Sequence, residues 1–288
     1  MLVKEFDKKS FEECKTFKNI GDKYSNGQVT IVGGSSLFHG APLLALKGAS
    51  RMVSMTYFST PSIDKGIAEK IKAGLSSFVW VDRMDLEGYL AKSDAILIGP
   101  GLMRSHVREH GFACDSEGLE TRKLSLDLFK KFPLKKWVVD GGTLQVVAIS
   151  DIPKGAVVTP NRKEFEMMFG EKLKEDFDER CKQIFELSKL HDFVILTKDS
   201  VSLASDGKDI YKIEGGNEGL VKGGVGDVIS GLTVGLMAKN DPLFSVCAAS
   251  LLVKKAAERL ASKRGFMFNA DDLVDLVPEI FATLEGEL

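Results

Sequence analysis

The chain has 288 residues, of which 44% are hydrophobic and 28% charged, so it is an ordinary globular sequence long enough to bury a large core. Lys and Arg total 39 against 41 Asp and Glu, a formal net charge of −2 that gives no global field to attract nucleic acid or an anionic membrane. Composition excludes disorder, collagen and coiled coil, and no apolar run approaches the roughly 20 residues of a membrane-spanning helix.

The first 15 residues, MLVKEFDKKSFEECK, are charged and carry no apolar signal segment. Residues 1–25 read as an N-terminal extension or helix. Gln28–Val32 then predicts a buried strand, Ala41–Arg51 a helix with Pro42 in its first turn, and Met52–Phe58 another strand. Ser77–Val81 and Asp94–Ile98 predict further strands, Leu119–Lys131 a helix, and Trp137–Asp140 and Gly155–Thr159 strands. Helices are predicted over Glu164–Phe169 and Phe177–Leu190, and strands over Phe193–Thr197 and Val201–Ala204 around a turn. Asp227–Met237, Leu243–Leu260 and Asp271–Leu284 are three helical segments in succession. Strands alternating with helices predict an α/β protein, with helices on both faces of a mostly parallel sheet. No repeat or linker divides it, so one domain over 1–288 is expected. Ligands of such sheets sit at the carboxyl ends of the strands.

Cys14, Cys114, Cys181 and Cys247 are far apart and form no CxxC pair. Reduced thiols in a cytoplasmic protein fit that spacing better than disulfides or zinc. His106 and His110 are four apart without an evident third ligand, and read as a surface segment. His39 reads as an exposed loop residue and His191 as part of a helix-to-strand turn. Trp80 and Trp137 read as core. Lys130, Lys131, Lys135 and Lys136 read as a solvated turn.

Glycine carries the chemical signal. Gly215–Gly231, GGNEGLVKGGVGDVISG, holds seven glycines in 17 residues where the chain average predicts fewer than two. It runs straight into an apolar helical pattern. A glycine-rich loop opening a helix presents bare N–H groups and the positive end of the helix dipole, which suits phosphate. Asp227, in the first turn, could cap the helix or act as general base toward a substrate hydroxyl. There is no Walker A motif, and GGSSLFHGAP (Gly33–Pro42) after the first long strand is not a Rossmann fingerprint. Asn161 and Glu164 follow a strand and are three apart. They could form a capping box, or organise Mg²⁺ through waters beside a phosphate. Ile98-Gly99-Pro100-Gly101, Asp140-Gly141-Gly142-Thr143 and Lys198 also lie just after strands.

The order GGS…GAP, IGPGL, VVDGGTL, VTPNRKEF, ILTK, GNEGLVKGGVGDVISG resembles the NAD(P)H-hydrate dehydratases of the ribokinase-like superfamily, from about Val29 to Leu276. The resemblance implies a ribokinase-like three-layer α/β/α sandwich. It implies an enzyme that uses ADP or ATP, with Mg²⁺, to phosphorylate the ring hydroxyl of hydrated NADH or NADPH (NADHX, NADPHX) and then eliminates phosphate. Asp227 would be the base and Gly226 part of the anion hole. Ala41, Gly101, Asn161 and Asp227 would meet the hydrated dinucleotide. Lys198, Asp199, Ser200, Val201, Ser202, Asn217, Gly223, Gly224 and Gly226 would meet the adenine nucleotide. Asn161 and Glu164 would hold the metal through water. A homotetramer is expected, with no nucleic-acid or membrane partner, and any companion epimerase would be a separate protein.

The chain departs from the family's usual pattern at several of these places. Phe38 stands for tyrosine, Asp140-Gly141-Gly142 for a DAD pattern, and Asn161 for histidine. Lys222 stands for threonine, Val225 for serine or threonine, and Thr197-Lys198-Asp199 for an LKG turn. Two other readings therefore stand beside the dehydratase: an ATP-dependent kinase of a small alcohol such as a sugar or vitamin precursor, and a nucleotide-binding protein without catalysis.

Overall fold

The computed structural model describes residues 2–15, 22–61, 74–104 and 116–286. Within them the strands β1 (Val3–Glu5), β2 (Gln28–Val32), β3 (Met55–Ser59), β4 (Val79–Trp80), β5 (Ala95–Ile98), β6 (Lys136–Val139), β7 (Val157–Val158), β8 (Val194–Thr197), β9 (Ser202–Ser205) and β10 (Ile210–Ile213) form one sheet. Its order is β1-β10-β9-β8-β7-β6-β5-β2-β3-β4. Every pairing is parallel except those of β9, which runs against β8 and β10. The expected mostly parallel sheet between helical layers is what forms.

Period-two alternation along the buried strands sorts the core. Ile31, Leu97, Val138, Val157 and Leu196 point to one face, where α2 (Gly40–Ser50) and the three C-terminal helices described below lie. Ile96, Ile98, Val139, Val158 and Ile195 point to the other. There they meet α3 (Leu86–Lys92), α4 (Ser116–Lys131), α6 (Arg162–Phe169) and α7 (Phe177–His191). Two short helices complete the set so far, α1 (Lys8–Phe11) and α5 (Gly141–Leu144). The C-terminal helices are α8 (Val225–Met237), α9 (Pro242–Arg264) and α10 (Ala270–Glu285).

Sequence grammar explains most helix starts. Asn161 and Asn269 close capping boxes, Asp176 caps α7, and Asp241 caps α9 with Pro242 at its first position. Helix α8 differs: it starts at Gly224, at φ 93°, with no side-chain cap. It is apolar all round and sandwiched between the sheet, α2 and α9.

Some elements depart from expectation. The strand predicted from Met52 begins at Met55, because Met52 N–H still bonds to Ala49 O to finish the turn after α2. Trp137 is core, but Trp80 is 36% exposed because β4 is the sheet's edge. Lys136 is no solvated turn residue: it donates to Met237 O at 2.9 Å and Asn240 O at 3.2 Å, binding the carbonyl end of α8. Residues before 25 supply β1 and α1, which no periodicity announces. Cys14, Cys181 and Cys247 are buried, the last two as free thiols. Cys114, His106 and His110 lie outside the described residues. Among the described residues no helix is long and apolar enough to cross a membrane.

Glycine has a packing role here as well as a loop role. A Cβ on Gly231 of α8 would stand 2.1 Å from Ala45 O of α2, and one on Gly235 2.6 Å from Met52 Cβ. The two helices meet backbone to backbone. Gly231→Ala is therefore expected to lower unfolding free energy by about 1–3 kcal/mol, as overpacking does. Urea denaturation checks it, and a midpoint equal to the parent's would show that the helices can separate without cost.

Candidate active site

Because the strands are parallel, the carboxyl ends of β2, β5, β6, β7 and β8 share one edge of the sheet. A cavity of about 390 Å³ opens there, between those ends and the start of α8. It sits beside the boundary between β2 and β5, from which the chain builds the sheet outward in opposite directions, β2 to β4 on one side and β5 to β8 on the other.

The loops that line it are tightly packed. Gly99, at φ 123°, lies so close to Asp140 O that a Cβ would come within 1.7 Å of it. A Cβ on Gly142 would come within 2.1 Å of Leu102 O. The DGG sequence after β6 is thus a requirement of this loop packing, and a larger residue at the third position has no room.

The charged centre is assembled from four strand or helix ends. Asp140 ends β6 and is 3% exposed. Lys198 ends β8, and its ammonium is 3.2 Å from Asp140 Oδ1. Glu164, in the first turn of α6 after β7, is 5% exposed. Its carboxylate accepts from Gln145 Nε2 at 3.0 Å and from Asn161 N–H at 2.9 Å. Asp227 enters from the first turn of α8. Burial opposes the charge on Lys198, but Asp140, Glu164 and Asp227 outweigh it and raise the ammonium's pKa above its ordinary value. Burial raises Glu164, helped by the charge of Asp140. The same two causes push Asp227 up to about 7, with Lys198 opposing.

Such a carboxyl is near the best pKa for a general base at neutral pH. It sits beside the N–H groups of an uncapped helix start, which present partial positive charge to an anion. Gly226 keeps that approach narrow, since a Cβ there would stand 3.0 Å from Lys198 Nζ.

Of the expected site residues, the structure brings Ala41, Gly101, Asn161, Glu164, Lys198, Asp199, Ser202, Gly226 and Asp227 onto this one cavity. Ser200, Val201, Asn217, Gly223 and Gly224 are outside its lining. Gly224 opens α8, and Asn217 caps the 3₁₀ turn Glu218–Leu220 by accepting from Gly219 N–H at 3.0 Å. His39 also stands outside the lining. Asn161 forms the capping box with Glu164, its side-chain oxygen accepting from both Lys163 and Glu164 N–H at 3.0 Å.

Sequence reading missed Arg104, Gln145 and Lys254 in the lining. Gln145 lies past Leu144 in the short helix that follows Asp140, and only its bond to Glu164 reveals it. Lys254 carried a signal, a lysine inside an otherwise apolar helical stretch.

The profile of the NAD(P)H-hydrate dehydratases matches residues 29–279. The chain is 30% identical over 264 residues to the ADP-dependent (S)-NAD(P)H-hydrate dehydratase of Cenarchaeum symbiosum (strain A), covering 90% of this chain and 89% of that protein. It is likewise 30% identical over 272 residues to the enzyme of the same name from Nitrosopumilus maritimus (strain SCM1), covering 93% and 92%. Among solved structures, the ADP/ATP-dependent NAD(P)H-hydrate dehydratase from Bacillus subtilis, co-crystallised with ATP/Mg²⁺, aligns with a TM-score of 0.81 at 22% identity, covering 99% of this chain and 100% of that one. That likeness shows the ribokinase-like fold.

The raised pKa of Asp227 has a measurable cost. The folded chain binds that proton more tightly than the unfolded chain does, so this group's contribution to stability falls as pH rises from about 4 to about 7. Asp227→Asn, which cannot ionise, should melt above the parent at pH 7.5 and level with it near pH 4. Equal melting at both values would show that the carboxyl is not destabilised by its surroundings.

Proposed function

The chain belongs to the NAD(P)H-hydrate dehydratase family, and on that premise we propose that it repairs hydrated NADH or NADPH at the expense of an adenine nucleotide. The observation that carries this is Asp227, a carboxyl poised near neutrality at an uncapped helix start, sharing one cavity with Lys198, Asp140 and Glu164.

The ring hydroxyl of the hydrated dinucleotide lies against Asp227, with Ala41, Gly101 and Asn161 around it. Asp227 takes the hydroxyl proton as the terminal phosphoryl group of the nucleotide transfers to that oxygen. The N–H of Gly226 and its neighbours at the start of α8 holds the phosphoryl charge as it develops. Lys198 supplies a fixed positive charge beside the transfer. Phosphate then leaves with the C–O bonding pair while the adjacent ring carbon gives up a proton, and the C–H pair becomes the ring double bond, giving back NADH or NADPH. Both sequence relatives are named ADP-dependent, which favours ADP as donor here.

Magnesium belongs to this reading, and the residues fit it. Asp140, Glu164 and Asp227 gather about Lys198, and these carboxylates give the centre of the cavity the oxygen donors that a hydrated magnesium ion takes. Among the described residues no three His, Cys, Asp or Glu converge as direct ligands, so the ion would be held through water. Glu164 would be its main anchor, with Asn161 beside it. When bound, Mg²⁺ neutralises charge on the phosphates and fixes their geometry. A homotetramer in the cytoplasm completes the reading.

The test is the absorbance of the reduced nicotinamide after mixing the protein with NADHX, Mg²⁺ and either ADP or ATP. A nucleotide-dependent rise is expected, with the rate climbing as pH approaches 7 and Asp227 ionises. A phosphorylated product that accumulates without the absorbance would overturn the dehydratase reading. Asp227→Asn should lose about 10²–10⁴-fold in turnover while binding ADP within a few-fold of the parent. Full activity in that variant would remove Asp227 from the chemistry.

A further inference from the structure

Helix α9 carries a lysine where its period calls for an apolar residue. Lys254 is 3% exposed, among the buried Ser250, Leu251, Val253 and Ala257 of the same helix. Its ammonium donates to three main-chain oxygens: Ser200 at 2.5 Å, Gly215 at 3.0 Å and Asp199 at 3.4 Å. One helical turn on, Glu258 Oε1 accepts from Gly216 N–H at 2.9 Å. The carbonyl of Gly215 and the N–H of Gly216 belong to a single peptide unit. Two side chains at i and i+4 of one helix thus grip both ends of that peptide.

Gly215 and Gly216 have φ of 95° and 83°, a conformation open to glycine, and one of many the segment could take without the contacts that select it. The same ammonium ties this peptide to the turn at 199–200 that joins β8 to β9. Lys254 and Asp199 both line the cavity. On the far side of that turn Asp199 Oδ1 accepts from Arg162 Nε at 3.0 Å. A buried lysine that only filled space would be better replaced by methionine, since an ammonium is costly to desolvate.

We infer that Lys254, supported by Glu258, is a positioning residue that fixes the 199–200 turn and the Gly215–Gly216 peptide as one wall of the adenine-nucleotide subsite. The inference rests on the nucleotide-dependent reading above. Burial lowers the pKa of Lys254 to about 8, against the charges of Glu258, Asp199 and Glu214, which raise it. Glu258 is itself paired with Lys255 at 2.9 Å, and Asp199 with Arg162. A neutral amine has two hydrogens for three carbonyls, so the clamp loosens above that pH.

Calorimetric titration with ADP tests this without turnover. Lys254→Met should weaken ADP binding by about tenfold or more, the scale of a lost charged hydrogen-bond set. In the assay its KM for nucleotide should rise while its kcat at saturating nucleotide and its KM for NADHX stay within about threefold of the parent's. Glu258→Ala should weaken ADP binding in the same direction, and Glu258→Gln, which keeps an acceptor oxygen, should stay near the parent.

The parent supplies a second measurement that needs no variant. Its ADP affinity should fall by about tenfold between pH 7.5 and 9.5 as the ammonium loses its proton, above the range in which ADP itself titrates. Lys254→Met should be flat there. If that variant fails to fold, the parent's pH profile decides. ADP binding by Lys254→Met within twofold of the parent, or a flat profile in the parent, overturns the inference. A parent that binds ADP but forms no NADH defeats the dehydratase reading and leaves the clamp standing. A parent that binds no ADP at any pH overturns both.

Discussion

Everything at the cavity is arranged around one buried ion pair. Asp140 and Lys198 end β6 and β8, and β7 runs between them, so their contact bridges three parallel strands at one edge of the sheet. Had either β6 or β8 run the other way, the two side chains would stand at opposite edges. The pair also sets the electrostatics of its neighbours. Breaking such a pair strands a buried charge, and that penalty fixes the strand ends more firmly than the attraction itself does. Lys198 is held as an ammonium by three carboxylates and so cannot neutralise all of them. Burial first, and the negative charge that remains second, raise the carboxyls of Glu164 and Asp227.

Helix α8 supplies the complementary half. It brings the N–H groups of a helix start without a side-chain cap to the same edge, and its body is buried, wedged between the sheet, α2 and α9. The glycines of the Gly215–Gly231 segment divide the labour. Gly215 and Gly216 shape the approach, Gly224 turns the chain into the helix, Gly226 gives Lys198 its place, and Gly231 lets α8 sit directly on α2. One stretch of sequence therefore encodes both an anion site and a helix interface.

Much of this was legible in the amino-acid sequence, for physical reasons. Strands such as Gln28–Val32 are buried on both faces and announce themselves as unbroken apolar runs. The site residues follow strands because parallel topology puts them there. What escaped reading had no local signature. β1, with the sequence VKE, is a strand only because β10 offers it an edge. β4 lies at the sheet's rim, so Trp80 is half in solvent although its pattern matches that of core tryptophan. Gln145 and Lys254 matter through contacts with residues 19 or more positions away. Asn161 and Glu164 could be read either as a capping box or as ligands to a hydrated ion. The cap is present, and Glu164 still lines the cavity.

The pairing of β1 with β10 also orders events during synthesis. Val3 lies beside Ile210 and Glu5 beside Lys212, so the contact spans more than two hundred residues of chain. A ribosome must have released the sequence past Lys212 before this edge of the sheet can close. Until then Val3–Glu5 has no ladder to join. Contacts of such long sequence separation slow folding, and here the slowness is tied to translation itself. The earliest described strand to be made is obliged to wait for one of the latest.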